Sequence, residues 1–271
     1  MLRSVVPLLL GAAAALGFDL RARRLGLSPP GFREPARRAA ATTLLAIVLA
    51  LAVFQPLASL GRPAPEIDFG AIPAWQLFLV HLLMTGGLLA WWACGFLGLP
   101  RGEWGSLAAQ VGLRAPSPPR EIGLGLVIGL ASWVAVIAAV VLVAMAAAAL
   151  GGDHWIPSRP PPAIPWMAGL PIALRAALAL SAGVVEEVFF RGLLQPRIGL
   201  LASTALFALA HLSYDQPFML VGVTLLSIVY GLVARWRQSI WAPIAAHFLF
   251  DAIQLLIVIP AVLRQFPAGV P

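Results

Sequence analysis

Seven ionisable side chains lie within apolar stretches of membrane-spanning length: His81, Glu186, Glu187, Arg191, His211, His247 and Asp251. Each would cost about 2.5–3.5 kcal/mol at the centre of a spanning helix, so such a residue marks function by default. Six of the seven fall between residues 186 and 251, in the segments VVEEVFFRGLL, FALAH and HFLFD. On a helix, residues four apart share a face, so Glu187 and Arg191 are expected to form an ion pair. Glu186 is turned about 100° away from Glu187 and is left free of that clamp. His247 and Asp251 are also four apart, so the Asp251 carboxylate is expected to fix the tautomer and direction of the His247 ring. Phe207 sits one turn before His211 on the same face. His81 has no acidic or histidine neighbour in its own run and is read as a core histidine.

A carboxylate, two histidines and an orienting carboxylate aimed into one intramembrane cavity suit two chemistries. Glu186 can deprotonate a water for attack on a carbonyl while His211 and His247 hydrogen-bond the oxyanion and the leaving group. Alternatively, Glu186, His211, His247 and Asp251 can ligate a divalent metal such as zinc that activates the water. Spacing alone does not separate the two, and neither motif is HExxH.

The elements that must position these groups are membrane helices. The 271-residue chain is 61% hydrophobic and only 11% charged, with a mean hydropathy of +0.92. A soluble domain would carry about 25% charge. The expected fold is all-α, a polytopic transmembrane helical bundle of about eight spans, with apolar runs near 5–18, 39–60, 74–99, 122–150, 168–190, 199–213, 218–234 and 239–260. The first run could be a signal peptide, but the basic stretch after it and the absence of a clear cleavage site favour a retained anchor. Two regions are expected: N-terminal membrane helices with a connector over 1–121, and a catalytic region over 122–264.

All 18 basic residues are arginine, giving a net charge of +7. They fall in short segments between apolar runs, a pattern suited to anionic lipid rather than nucleic acid. Loops 19–38, 100–121, 191–198 and 235–238 carry arginine. The alternate loops 61–73, 151–167 and 214–217 place Arg62 and Arg159 against Glu66, Asp68, Asp153 and Asp215. The positive-inside rule then puts the arginine-rich set in the cytoplasm and both termini outside. Loop 151–167 is expected at the interface, with Trp155 and Trp166 as an aromatic belt. Tyr230 and Thr224 are expected to make polar contacts between helices. The single Cys94 excludes an intrachain disulfide and is read as a small buried hydrophobe.

EEVFFRG, FALAH and HFLFD resemble, in this order, the EExxxR, FxxxH and HxxxN/D motifs of the CPBP family, the type II CAAX prenyl endopeptidase and bacteriocin-processing proteins. The resemblance covers about 165–260, and the GLR-containing connector near 107–123 is similar to the segment preceding that domain. It implies a glutamic-type intramembrane endopeptidase needing no cofactor, with a metallo-type alternative. By position, Glu186 becomes the water-activating base, with Glu187 and Arg191 as motif support and His211 and His247 as the catalytic histidines. Asp251 stands where the family often has Asn, which adds a possible negative charge. The implied partners are the lipid bilayer and a membrane-anchored protein or peptide substrate, with no nucleic acid; the oligomeric state is left open. The arginine-only, alanine-rich composition points to a bacterial inner membrane. A proton-coupled transporter and a non-catalytic scaffold or immunity protein on the same fold are the competing readings.

Overall fold

A computed structural model describes residues 2–58, 68, 71–152, 163–212 and 217–265. Arg62, Glu66, Asp153, Trp155, Arg159 and Asp215 lie outside the described residues. Among the described residues there is no strand. In chain order the helices are α1 (Leu2–Arg24), α2 (Pro35–Leu49), α3 (Leu79–Phe96), α4 (Leu107–Gln110), α5 (Pro118–Ala149), α6 (Ala163–Gly169), α7 (Ile172–Glu186), α8 (Gln195–Ile198), α9 (Leu200–Ala210), α10 (Pro217–Arg237), α11 (Trp241–Ile253) and α12 (Ile259–Gln265). Three wider π-helical stretches interrupt them: Ala50–Phe54 after α2, Glu187–Leu194 after α7 and Gln254–Val258 after α11.

The bundle is an integral, multi-pass membrane architecture. Among the described residues six helices are long and apolar enough to cross a membrane, or up to seven if the bent pair Ala163–Gly169 and Ile172–Ile198 is one span. The α5 flank shows the expected lipid face, with Val127, Leu130, Val134 and Leu142 all more than half exposed. Counting apolar runs suggests about eight spans, and the difference lies mainly in the run at 199–213. Its helix α9 has only 11 residues and covers about 16 Å at 1.5 Å per residue, against a hydrocarbon core of about 30 Å. It stops at His211, so this helix ends where a site residue begins.

The four arginine-bearing loops meet at one end of the bundle, as their charge pattern predicts. Leu27, Gln110, Arg197 and Arg235, one from each loop, line a common cavity of about 590 Å3. Arg237 at the end of α10 grips Glu121 at the start of α5 through two hydrogen bonds, of 3.0 and 2.5 Å. Arg37 of α2 donates to the Leu97 carbonyl beyond α3, at 2.7 Å. Arg197 is buried, donates to the Leu193 carbonyl and lies 4.6 Å from the Trp91 ring.

One core cluster runs from Ala15 and Phe18 of α1 through Leu45 and Trp91 to Phe189, Phe190 and Phe207. The N-terminal helices therefore belong to the packing that holds the site. Cys94 is half-buried against this cluster, as a small hydrophobe would be.

Small residues bring α11 close to its neighbours. A Cβ on Gly129 of α5 would stand 2.7 Å from the Ala246 carbonyl oxygen, and one on Gly183 of α7 would stand 2.8 Å from the Phe248 nitrogen. In lipid, helices associate through such close backbone packing because there is no hydrophobic drive between them. It seats α11, with His247 and Asp251, against α7, with the glutamates. Gly129→Leu is expected to lower stability by about 1–3 kcal/mol through overpacking. Gly123→Ala, at a helix glycine with open space around it, should be neutral or slightly stabilising. Thermal unfolding in detergent checks both, and an unshifted Gly129→Leu would contradict this packing.

Candidate active site

The two glutamates fall at a change of helix type. Glu186 is the last residue of α7, and Glu187 opens the π-helical stretch Glu187–Leu194. In that stretch the Gln195 amide donates to the Phe190 carbonyl five residues back, and the Ser203 hydroxyl donates to the same oxygen at 2.8 Å. Such π-helical segments are short, irregular and often found at functional sites.

Glu187 is completely buried and serves two partners with one oxygen. Its Oε1 lies 3.1 Å from Arg191 Nη1 and accepts from His247 Nδ1 at 2.8 Å. The expected clamp with Arg191 is present. The expected orienting bond from Asp251 is not, because Asp251 Oδ2 stands 3.6 Å from His247 Nε2. Glu187, arriving from a different helix, holds the other ring nitrogen and sets the direction of His247. Asp251 instead faces the working nitrogen. The Arg191 guanidinium also lies 4.2 Å over the Phe207 ring. Phe207 in turn packs against His211 and His247, at centroid distances of 4.5 and 6.1 Å. The buried Tyr230 ring, 5.9 Å away, closes a further side of His247.

Glu186 keeps a separate set of contacts. His211 donates Nδ1–H to the Phe207 carbonyl at 2.7 Å, which turns its Nε2 toward Glu186 Oε2, 3.8 Å away. Glu186 Oε1 is 3.3 Å from His81 Nε2, and His81 Nδ1 is 2.8 Å from the Ser181 hydroxyl. The reading of His81 as an uninvolved core histidine is thus corrected: it is buried and bonded to Glu186 from α3. Its sequence surroundings hold no partner, and the only available signal was an ionisable ring inside a span. Arg175 of α7 also escaped notice. It donates to the Leu255 carbonyl at 2.9 Å and so ties α7 to the π-helical stretch beyond Asp251.

The structure therefore brings the expected residues together as two linked clusters: Glu186 with His211, joined by the unexpected His81, and Glu187 with Arg191, His247 and Asp251. The 590 Å3 cavity reaches Arg191 and Gly192 but is not lined by Glu186, His211, His247 or Asp251. Among the described residues no group of three His, Cys, Asp or Glu side chains is arranged to hold a metal ion. The Nδ1 atoms of His211 and His247 are committed to the Phe207 carbonyl and to Glu187, which leaves each Nε2 facing a site carboxylate, Glu186 and Asp251 respectively.

Residues 168–253 match the family of type II CAAX prenyl endopeptidase Rce1-like proteins. The matched segment, about a third of the chain, is thus similar to CAAX-type endopeptidases. The matched segment includes every motif residue from Glu186 to Asp251 and excludes His81. Over 77 residues, 28% of the chain, the sequence is 38% identical to the uncharacterized protein YpbD of Bacillus subtilis. The match covers 41% of that relative's length. No solved structure matches the chain.

Removing one partner from a buried ion pair strands the other charge and costs about 3–5 kcal/mol. Arg191→Met should therefore destabilise the protein by about that amount, while Arg191→Met combined with Glu187→Leu recovers part of the loss. Denaturation in detergent of the single and double variants measures this, and equal stability of all three would contradict the pairing.

Proposed function

We propose that this protein is an intramembrane endopeptidase in which Glu186 activates the hydrolytic water. The observation that carries the reading is the division of partners between adjacent glutamates: Glu187 Oε1 is held by the Arg191 guanidinium and by His247, whereas Glu186 faces the imidazoles of His81 and His211. The second oxygen of each is buried without a hydrogen-bond partner, but a carboxylate ion-paired to a buried arginine supports structure, whereas one that faces imidazoles with an open oxygen can accept a proton. The family match supports CAAX-type endopeptidase chemistry in general.

The water sits between Glu186 Oε2 and His211 Nε2. Glu186 takes one of its protons as the oxygen bonds to the peptide carbonyl carbon. His247, oriented through Nδ1 by Glu187 and acting as the imidazolium between Glu187 and Asp251, donates Nε2–H to the carbonyl oxygen as it becomes negative. Collapse breaks the C–N bond, and the proton held by Glu186 passes to the leaving nitrogen. The products are a new carboxylic acid and a new amine, which exchange a proton to become carboxylate and ammonium, with one water consumed. Every proton step uses groups already in the site, and no metal is required.

The substrate class we favour is a membrane-anchored protein or peptide, because the groups lie within the span of the bundle and a soluble chain would have to enter lipid to reach them. The arginine-only basic set and the alanine-rich composition support a bacterial cytoplasmic membrane.

Glu186→Gln keeps the shape of the side chain and removes its basicity. In a strain carrying it at equal expression, a membrane-anchored precursor should accumulate uncleaved, as seen by mapping peptide termini against wild type. General-base removal typically costs about 10²–10⁴-fold in rate. Unchanged termini, with the variant still complementing a deletion, would leave a non-catalytic scaffold on the same fold.

A further inference from the structure

The Glu186 carboxylate has two chemically equivalent oxygens, and the structure treats them differently. Oε1 is 3.3 Å from His81 Nε2, whereas Oε2 is buried without a hydrogen-bond partner and faces His211 at 3.8 Å. A carboxylate can only accept, so His81 Nε2 must carry the hydrogen. In the neutral ring Nδ1 is then an acceptor, and the Ser181 hydroxyl at 2.8 Å donates to it. The result is a chain of donors, Ser181 to His81 to Glu186, that starts and ends on α7 and passes through α3.

We infer that His81 is a positioning residue that occupies Oε1 of Glu186 and thereby makes Oε2 the oxygen that receives the proton from water. This rests on the endopeptidase reading and adds to it a residue from outside the family-matched segment. Three features converge on it. His81 is buried, with only 8% of its surface exposed, so a bond to solvent does not compete. Its second nitrogen is also fixed, by Ser181, so the ring cannot turn away without losing two bonds. Glu186 ends the regular part of α7, where the helix widens and its side chain would otherwise swing. Without His81 the carboxylate rotates between His211 and α3, and the basic oxygen no longer stays opposite His211.

The contact itself can be read without a substrate. The chain has four histidines, so ring-15N labelling of the full-length protein in detergent gives few signals, and His81→Gln assigns those of residue 81. Ser181→Ala should shift the His81 Nδ1 signal, and Glu186→Gln the Nε2 signal; insensitivity to both overturns the proposal. The role is read with the precursor identified through Glu186→Gln, reconstituted with the protein in liposomes. His81→Leu should lower kcat by on the order of 100-fold, the scale of a misplaced catalytic group, with KM little changed. His81→Gln, whose amide N–H can reach the position of Nε2, should recover most of the rate, and the shorter His81→Asn should not. Gln and Asn variants that are equally folded and equally active would overturn the proposal, as would an undiminished kcat in His81→Leu. Either result alongside an inactive Glu186→Gln leaves the endopeptidase reading standing. An active Glu186→Gln removes that reading, and the proposal with it.

Discussion

Two adjacent carboxylates inside an apolar bundle must each be satisfied, and one helix cannot satisfy both from the same side. Consecutive residues on a helix point about 100° apart, so Glu186 and Glu187 are obliged to find partners on different neighbours. Glu187 turns to α11 and to its own Arg191, and becomes the structural anchor of His247. Glu186 turns to α3 and to the end of α9. Much of the architecture follows from this division. The close seat of α11 against α7 at Gly183, the placement of Phe207 beneath Arg191 and the early end of α9 at His211 each serve one of the two carboxylates.

The same division separates what supports the site from what performs chemistry in it. An ion pair buried this deeply is weak evidence for net stability, since desolvation can exceed the attraction. Its use here is geometric: Arg191 and Glu187 together fix the direction of an imidazole on another helix. Phe207 transmits this arrangement by touching Arg191 and both motif histidines. The first motif, the second and the third are thus one packed unit, although each lies on a different helix.

A good part of this was legible from residue spacing. Pairs four apart on one helix, Glu187 with Arg191 and Phe207 with His211, meet as expected, and the alternation of arginine-bearing loops matches the loops that converge at one end. Contacts between helices were less legible. His81 and Glu186 are 105 residues apart and Glu187 and His247 are 60 apart, and no local periodicity links such positions. The same limit explains Asp251: spacing assigned it to orient His247, because the competing carboxylate from α7 has no trace in the sequence of α11. Hydropathy likewise counts an apolar run as a crossing, whereas α9 is too short to cross by itself.

The central claim is that a water held at Glu186 attacks the peptide carbonyl directly. A single turnover in 18O-labelled water, with wild-type protein in excess over precursor, tests it by mass analysis of the new C-terminus. Direct attack places one 18O in that carboxylate during the first turnover. An unlabelled first-turnover product would mean that the oxygen came from the protein, making Glu186 a nucleophile rather than a base and contradicting this account.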